Sequence, residues 1–109
     1  MCDRLGISHL VHHTENMDSS NHLYLIRIPD ISLEKRNELI TKFAELGVST
    51  NVHFKPMPLM TAYKDLGWDI KDFPNSFDYY HNLITLPLHT KLSDEDVDYV
   101  IEKLEEILK

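Results

Sequence analysis

The sequence predicts an α+β domain in which a small mixed or antiparallel β-sheet carries two main helices packed on it. Three observations predict it: an apolar run from His22 to Ile28, helical apolar spacing after Ser32, and a continuous helical stripe at the C-terminal end. In the first, Leu23, Leu25 and Arg27 alternate with Tyr24, Ile26 and Ile28. One face is aliphatic and aromatic and the other nearly so, which predicts a central strand covered on much of both sides. Pro29 and Asp30 end it.

Ser32 offers an N-cap oxygen to a helix whose apolar positions Leu39, Ile40, Phe43 and Leu46 recur at three- and four-residue spacing. Gly47 supplies the left-handed position that closes such a helix. Val48 to Phe54 is rich in β-branched residues and predicts a second strand, so that strand, helix and strand make a split or direct βαβ unit. Lys55-Pro56-Met57-Pro58 stops that strand at Phe54, because each proline removes a donor and restricts the residue before it.

Leu59 to Leu66 predicts a short helix ended by Gly67, and Pro74 has the position of N1 in a helix running to about His81. Ile84 to Leu88 is a short strand that Pro87 confines to an edge or cuts short. In the last element Ser93 and Asp96 form a capping-box pair, with Asp94 and Glu95 in the positive first turn. Val97, Val100, Ile101, Leu104, Ile107 and Leu108 then trace one stripe that must be buried against something, while Asp98, Glu102, Glu105 and Glu106 form a solvated face.

The chain has 109 residues, 11 basic and 18 acidic, and a formal charge of −7. Residues 1–109 are expected to form a single domain, long enough to bury roughly 65% of the surface of the unfolded chain. The acidic balance, with no cluster of Lys or Arg, argues against nucleic acid as a partner. No apolar run approaches the roughly 20 residues that span a bilayer. A membrane partner is not expected, and the location is expected to be cytoplasmic. The one cysteine, Cys2, can form no intramolecular disulfide and is expected to have no role.

Seven histidines call for a metal site to be weighed. His9, His12 and His13 are the closest set, but no cysteine or carboxylate joins them at zinc spacing, and solvated histidines are the expectation. His53 and His89 each lie where a predicted strand opens into a loop, the usual place for ligand contacts. There is no nucleophile elbow, no phosphate-cradling glycine loop and no cysteine placed with a base. The residues by themselves describe a domain with no self-sufficient active site.

Five motifs in order make a stronger statement. Asn51-Val52-His53-Phe54-Lys55-Pro56, Thr61 to Gly67, Asp72-Phe73-Pro74-Asn75, Thr85-Leu86-Pro87-Leu88-His89-Thr90 and Leu92 to Val97 together resemble the C-terminal part of the DegT/DnrJ/StrS family. These are pyridoxal-phosphate-dependent aminotransferases that act on nucleotide-linked keto sugars. The resemblance runs from about Leu5 to Lys109, and it departs from the family at Met57-Pro58, where many relatives carry an apolar residue followed by histidine.

The resemblance implies the small domain of a fold-type-I aminotransferase, without the large cofactor-binding domain as its partner. Pyridoxal phosphate is then the cofactor of the full-length enzyme, with none expected in this chain, since none of its eight lysines has the context of the family's Schiff-base segment. It also implies a nucleotide-sugar substrate and a place in the synthesis of cell-surface polysaccharide or lipopolysaccharide sugars. His53, Phe54, Lys55 and Pro56 are the implied substrate-side contacts, with His22 and His89 second, and no residue is assigned a catalytic role. Two other readings stand beside it. One is a stand-alone ligand-binding or interaction module, with a polar surface or a homodimer in place of the large domain; the other is a histidine-dependent metal-binding protein.

Overall fold

A computed structural model describes residues 2–109. In chain order it contains the single-turn helix α1 (Cys2–Leu5), β1 (Ser8–His9), a small hairpin of β2 (His13–Thr14) and β3 (Met17–Asp18), β4 (Tyr24–Arg27) and α2 (Leu33–Glu45). There follow a 3-10 turn at Met57–Leu59, α3 (Thr61–Asp65), a second 3-10 turn at Ile70–Asp72, α4 (Pro74–His81), β5 (Leu83–Leu86) and α5 (Asp94–Leu108). The α+β architecture is as the sequence predicts.

The sheet has the order β1-β4-β5 and is antiparallel throughout, with Tyr24 opposite Leu86 and Arg27 opposite Leu83. β4 is central, as its two-sided apolar pattern requires, although His22 and Leu23 stay outside the ladder. Pro87 cuts β5 short, and β5 is an edge strand of this sheet apart from one isolated bridge. β4 lies on one side of β5, and Asn51 forms a single antiparallel bridge to Thr85 on the other. Because Asn51 and β4 both run antiparallel to β5, they run parallel to each other with β5 between them. This is the split form of the βαβ unit, reduced on one side to one bridge.

The predicted strand over Val48 to Phe54 is therefore corrected to that bridge, and local hydrogen bonds explain why. Gly47 has φ +74°, its N–H donates to Ala44 O at 3.0 Å, and the Val48 N–H donates to Phe43 O at 2.8 Å, the paired bonds that terminate a helix through a left-handed residue. Val48 is thus committed to α2. The next acceptor along β5, Leu83 O, is taken by Arg36 Nη1 at 3.0 Å, and on the other side Pro87 has no N–H to give. Similarly, the predicted helix over Leu59 to Leu66 divides at Met60, whose extended ψ of 140° separates the first 3-10 turn from α3.

One sheet face carries the main core. Ile26, Ile28, Ile84 and Leu86 pack with Leu39 and Phe43 of α2 and Leu104 of α5, all buried. Cys2 and Ile7 complete it, so Cys2 is a core residue and not an idle terminus. Its thiol lies 3.9 Å from the Tyr24 hydroxyl, and desolvation, with that contact second, holds the tyrosine pKa above its ordinary value. By strand alternation Leu25, Leu83 and Thr85 point away from this core, yet they are buried too. The segment from His53 to Asn82 reaches that second face: His53 bonds Thr85, and Asp78 and Asn82 bond Arg27. The sheet is covered on both sides.

Gly47→Ala is expected to destabilise the domain by about 1–2 kcal/mol, measured as a urea midpoint at unchanged slope. A Cβ there would meet no atom within 4 Å, so the cost is purely that of a left-handed alanine. A second expectation concerns acid. The Ser93 N–H (2.9 Å), and secondarily its hydroxyl (3.1 Å), hold the Asp96 carboxyl below its ordinary pKa. This contribution is present above the unfolded value of about 4 and lost as pH falls through the folded one. Asp96→Asn should therefore lose less stability than the parent chain between pH 5 and about pH 2; equal losses would remove Asp96 from the acid response.

Candidate functional site

Asn51 is pinned to β5 by two backbone bonds, its N–H to Thr85 O at 3.1 Å and the Thr85 N–H to Asn51 O at 2.7 Å. Two residues later His53 is half-buried, and its Nδ1 lies 2.9 Å from Thr85 Oγ1. The Phe54 ring meets the imidazole edge-on, with centroids 4.6 Å apart and planes at 88°, while 71% of Phe54 remains exposed. Lys55 is exposed, and the Pro56 carbonyl accepts the Leu59 N–H at 2.9 Å, which ties the run to the first 3-10 turn. His53, Phe54, Lys55 and Pro56 thus form one anchored ridge that leaves the sheet beside β5.

His22 and His89 do not join it. Both leave the sheet at the Tyr24–Leu86 end, His22 exposed and with no hydrogen bond among the described residues. The His89 Nδ1 accepts the Lys91 N–H at 3.3 Å, and the ring lines a cleft of about 220 Å³ with Gly47, Leu92 and Tyr99, on the helix side of the sheet. His53 is on the opposite face, with Thr85. Thr85 was not singled out in the sequence, although one hydroxyl inside the otherwise apolar strand Leu-Ile-Thr-Leu signals that a partner must exist for it.

The other histidines are engaged locally. His13 Nδ1 pairs with Asp18 Oδ1 at 2.9 Å across the hairpin, His12 Nδ1 lies 3.2 Å from Ser19 Oγ, and His9 and His12 both stack on Tyr24. Among the described residues no three His, Cys, Asp or Glu side chains converge in a way that could hold a metal ion.

The sequence also did not single out two arginines that organise this half of the molecule. Arg36 is 1% exposed; its Nη1 donates to Leu83 O at 3.0 Å, its Nε donates to Asn37 Oδ1 at 2.9 Å, and its guanidinium lies 4.7 Å from the Tyr80 ring centre. Arg27 donates to Asn82 Oδ1 at 2.9 Å and to both the carboxylate and the carbonyl of Asp78, over the ring of Tyr79. Together they fix α4 to the start of β5.

Among the described residues the lysines and carboxylates are exposed or already paired. A Schiff-base lysine must be able to lose its proton in a shielded site. Seven of the lysines are exposed, and Lys103, the partly shielded one, is held protonated by Glu106 first and Glu102 second, each 2.9 Å away. Among the described residues no Asp or Glu is buried. The ridge presents an imidazole nitrogen, an ammonium and an aromatic face.

The polysaccharide biosynthesis protein SpsC of the Bacillus subtilis spore coat is 38% identical over 91 residues, which is 81% of this chain and 23% of that protein. A UDP-4-amino-4,6-dideoxy-N-acetyl-beta-L-altrosamine transaminase of Campylobacter jejuni is 30% identical over 84% of this chain and 24% of its own length. This chain thus spans about a quarter of the curated relatives that it matches. Among solved structures, a Streptococcus pneumoniae protein assigned as a sugar aminotransferase, seen in its apo form, superimposes with TM-score 0.91 and 48% identity over 97% of this chain and 28% of its own. The same protein has also been solved in its PLP form. PseC of Helicobacter pylori, an aminotransferase of pseudoaminic acid biosynthesis, matches with TM-score 0.78 and 25% identity over 97% of this chain and 29% of its own. With a family model matching residues 3–105 and these relatives agreeing along nearly all of its length, the chain belongs to the DegT/DnrJ/EryC1/StrS aminotransferase family.

Proposed function

We propose that residues 1–109 act as the small C-terminal domain of a PLP-dependent nucleotide-sugar aminotransferase that serves the synthesis of surface polysaccharide or lipopolysaccharide sugars in the cytoplasm. The observation that carries this reading is the superposition of 97% of the chain, at TM-score 0.91, on one part of a sugar aminotransferase. The cofactor and its lysine then belong to the rest of the enzyme. This domain binds, orients and excludes water on the substrate side.

His53, Phe54, Lys55 and Pro56 are the proposed contacts, with His22 and His89 at the periphery. A nucleotide sugar presents a diphosphate, hydroxyls and flat ring faces. The exposed Lys55 ammonium suits the first, the imidazole of His53 the second and the Phe54 ring the third. Anchoring by the Asn51 bridge supports the ridge in this role, because contacts on a fixed strand end hold a substrate more closely than contacts on a free loop.

The surface supports a covering partner. Met57, Met60, Leu66, Trp68 and Phe73, all between residues 57 and 73, are exposed large apolar side chains, Leu66 at 74%. Trp68 stacks on Phe73 at 5.7 Å, so this is built structure and not a loose tail. Soluble monomers rarely leave broad apolar area uncovered, and we assign this surface to the cofactor-binding domain.

In the enzyme that joins this domain to its cofactor domain, His53→Ala should raise KM or lower kcat while leaving the fold unchanged by circular dichroism. Wild-type kinetics in that variant would remove His53 from the substrate side. Leu66→Ser in the 109-residue chain should change its urea stability by less than about 0.5 kcal/mol, as expected of an exposed position. The same substitution should weaken association with a separately produced cofactor domain, and unchanged association by calorimetry would reassign the apolar surface.

A further inference from the structure

β5 is buried along its whole length, and Thr85 is the one hydroxyl-bearing residue in it. Burying a hydroxyl without a partner is unfavourable, and the Thr85 hydroxyl finds its partner in His53 Nδ1 at 2.9 Å. The pair is held from two sides. Thr85 and Asn51 exchange both backbone bonds, which fixes the chain two residues ahead of the imidazole. The Phe54 ring closes on the imidazole from the other side, at 4.6 Å. Nε2 has no partner among the described residues, and it is not one of the buried unpaired atoms. The ring is therefore anchored through one nitrogen and open to solvent at the other.

We infer that Thr85 is a positioning residue that holds the imidazole of His53 with Nε2 facing outward. The chemistry of the anchor is specific. A backbone carbonyl or carboxylate at Nδ1 would only accept, and in a neutral ring would leave Nε2 an acceptor. A hydroxyl accepts from Nδ1–H and donates to bare Nδ1, so it keeps the ring in place in either tautomer. His53 can thus present Nε2 as donor or acceptor without turning. This suits a ligand hydroxyl, which itself both donates and accepts; here the inference rests on the reading of His53 as a substrate contact.

The test uses the 109-residue chain and the nuclear Overhauser contacts of the His53 ring protons with Thr85 and Phe54, with exposed His22 as internal reference. Three forms are compared: the parent chain, Thr85→Val, which removes the hydroxyl and keeps the shape, and Thr85→Ser, which keeps it. Parent His53 should show the contacts of one ring orientation, with Nδ1 toward Thr85, whichever tautomer is present. Thr85→Val should average them over both orientations of the ring, as for the free ring of His22, and Thr85→Ser should preserve them, with circular dichroism unchanged in all three. Parent contacts that already average over both orientations overturn the inference, a result that needs no variant to fold. So does a Thr85→Val spectrum identical to the parent, or a Thr85→Ser spectrum that has lost the parent pattern.

In the joined enzyme, Thr85→Val should raise KM about 2- to 10-fold with kcat retained, the range for one hydrogen bond, and Thr85→Ser should restore it. If His53→Ala and Thr85→Val both leave kinetics unchanged while the spectral change is present, the substrate reading falls and the positioning inference stands. If Thr85→Val leaves the spectrum unaltered, the inference falls even where His53→Ala impairs turnover.

Discussion

The antiparallel pairing of β4 with β5 is the constraint from which the rest of the domain follows. Each other element is attached to one of these two strands: β1 to the free edge of β4, Asn51 to the free edge of β5, and α2 and α5 to their common face. The two strands are far apart in sequence, so the ladder closes only if the chain between them can return along a defined route. The helix α2 provides the first part, and the proline-rich ridge and α4 provide the second. Alternation along the two strands then directs Ile26, Ile84 and Leu86 into the helical core and Leu25, Leu83 and Thr85 to the opposite face.

Arg36 and Arg27 connect that second face to the ladder. Arg36 rises from the buried side of α2 beside Leu39 and Phe43, and donates to the carbonyl of the first residue of β5. Its partners among the described residues are a carbonyl, an amide oxygen and an aromatic face, with no carboxylate. A buried guanidinium satisfied this way is costly to truncate, because its loss leaves the Leu83 carbonyl and the Tyr80 ring without their shared neighbour. Arg27 does the same from β4, through Asp78 and Asn82. The orientation of α4 relative to the sheet therefore rests on polar contacts, while α2 and α5 are held by apolar area.

This division matters for the ridge at His53 to Pro56. The ridge begins on a two-bond bridge and ends on a 3-10 turn, so its backbone is fixed at both ends while Phe54 and Lys55 remain open to solvent. A fixed backbone with free side chains is what a recognition surface requires, since ordering has been completed before a ligand arrives. The exposed apolar residues downstream of the ridge extend the same side of the molecule and give the domain a face suited to burial against a partner.

Local chemistry determined a large part of this protein from the sequence by itself. The Ser32 cap, the Gly47 terminus, Pro74 at the start of α4 and the Ser93–Asp96 box are interactions between residues close in the chain, and all four appear where the residue types place them. The two-sided apolar pattern of β4 also announced its central position. Tertiary structure decided what depends on residues far apart. That Val48 to Phe54 yields one bridge and not a strand follows from the use of Val48 in the end of α2, the claim of Arg36 on the Leu83 carbonyl and the missing N–H of Pro87, which no propensity scale records. That Cys2 enters the core, that Arg36 is buried, and that Thr85 rather than any neighbour holds His53 follow from contacts spanning tens of residues. Periodicity shows which side of an element is apolar, but only the folded chain determines what that side meets.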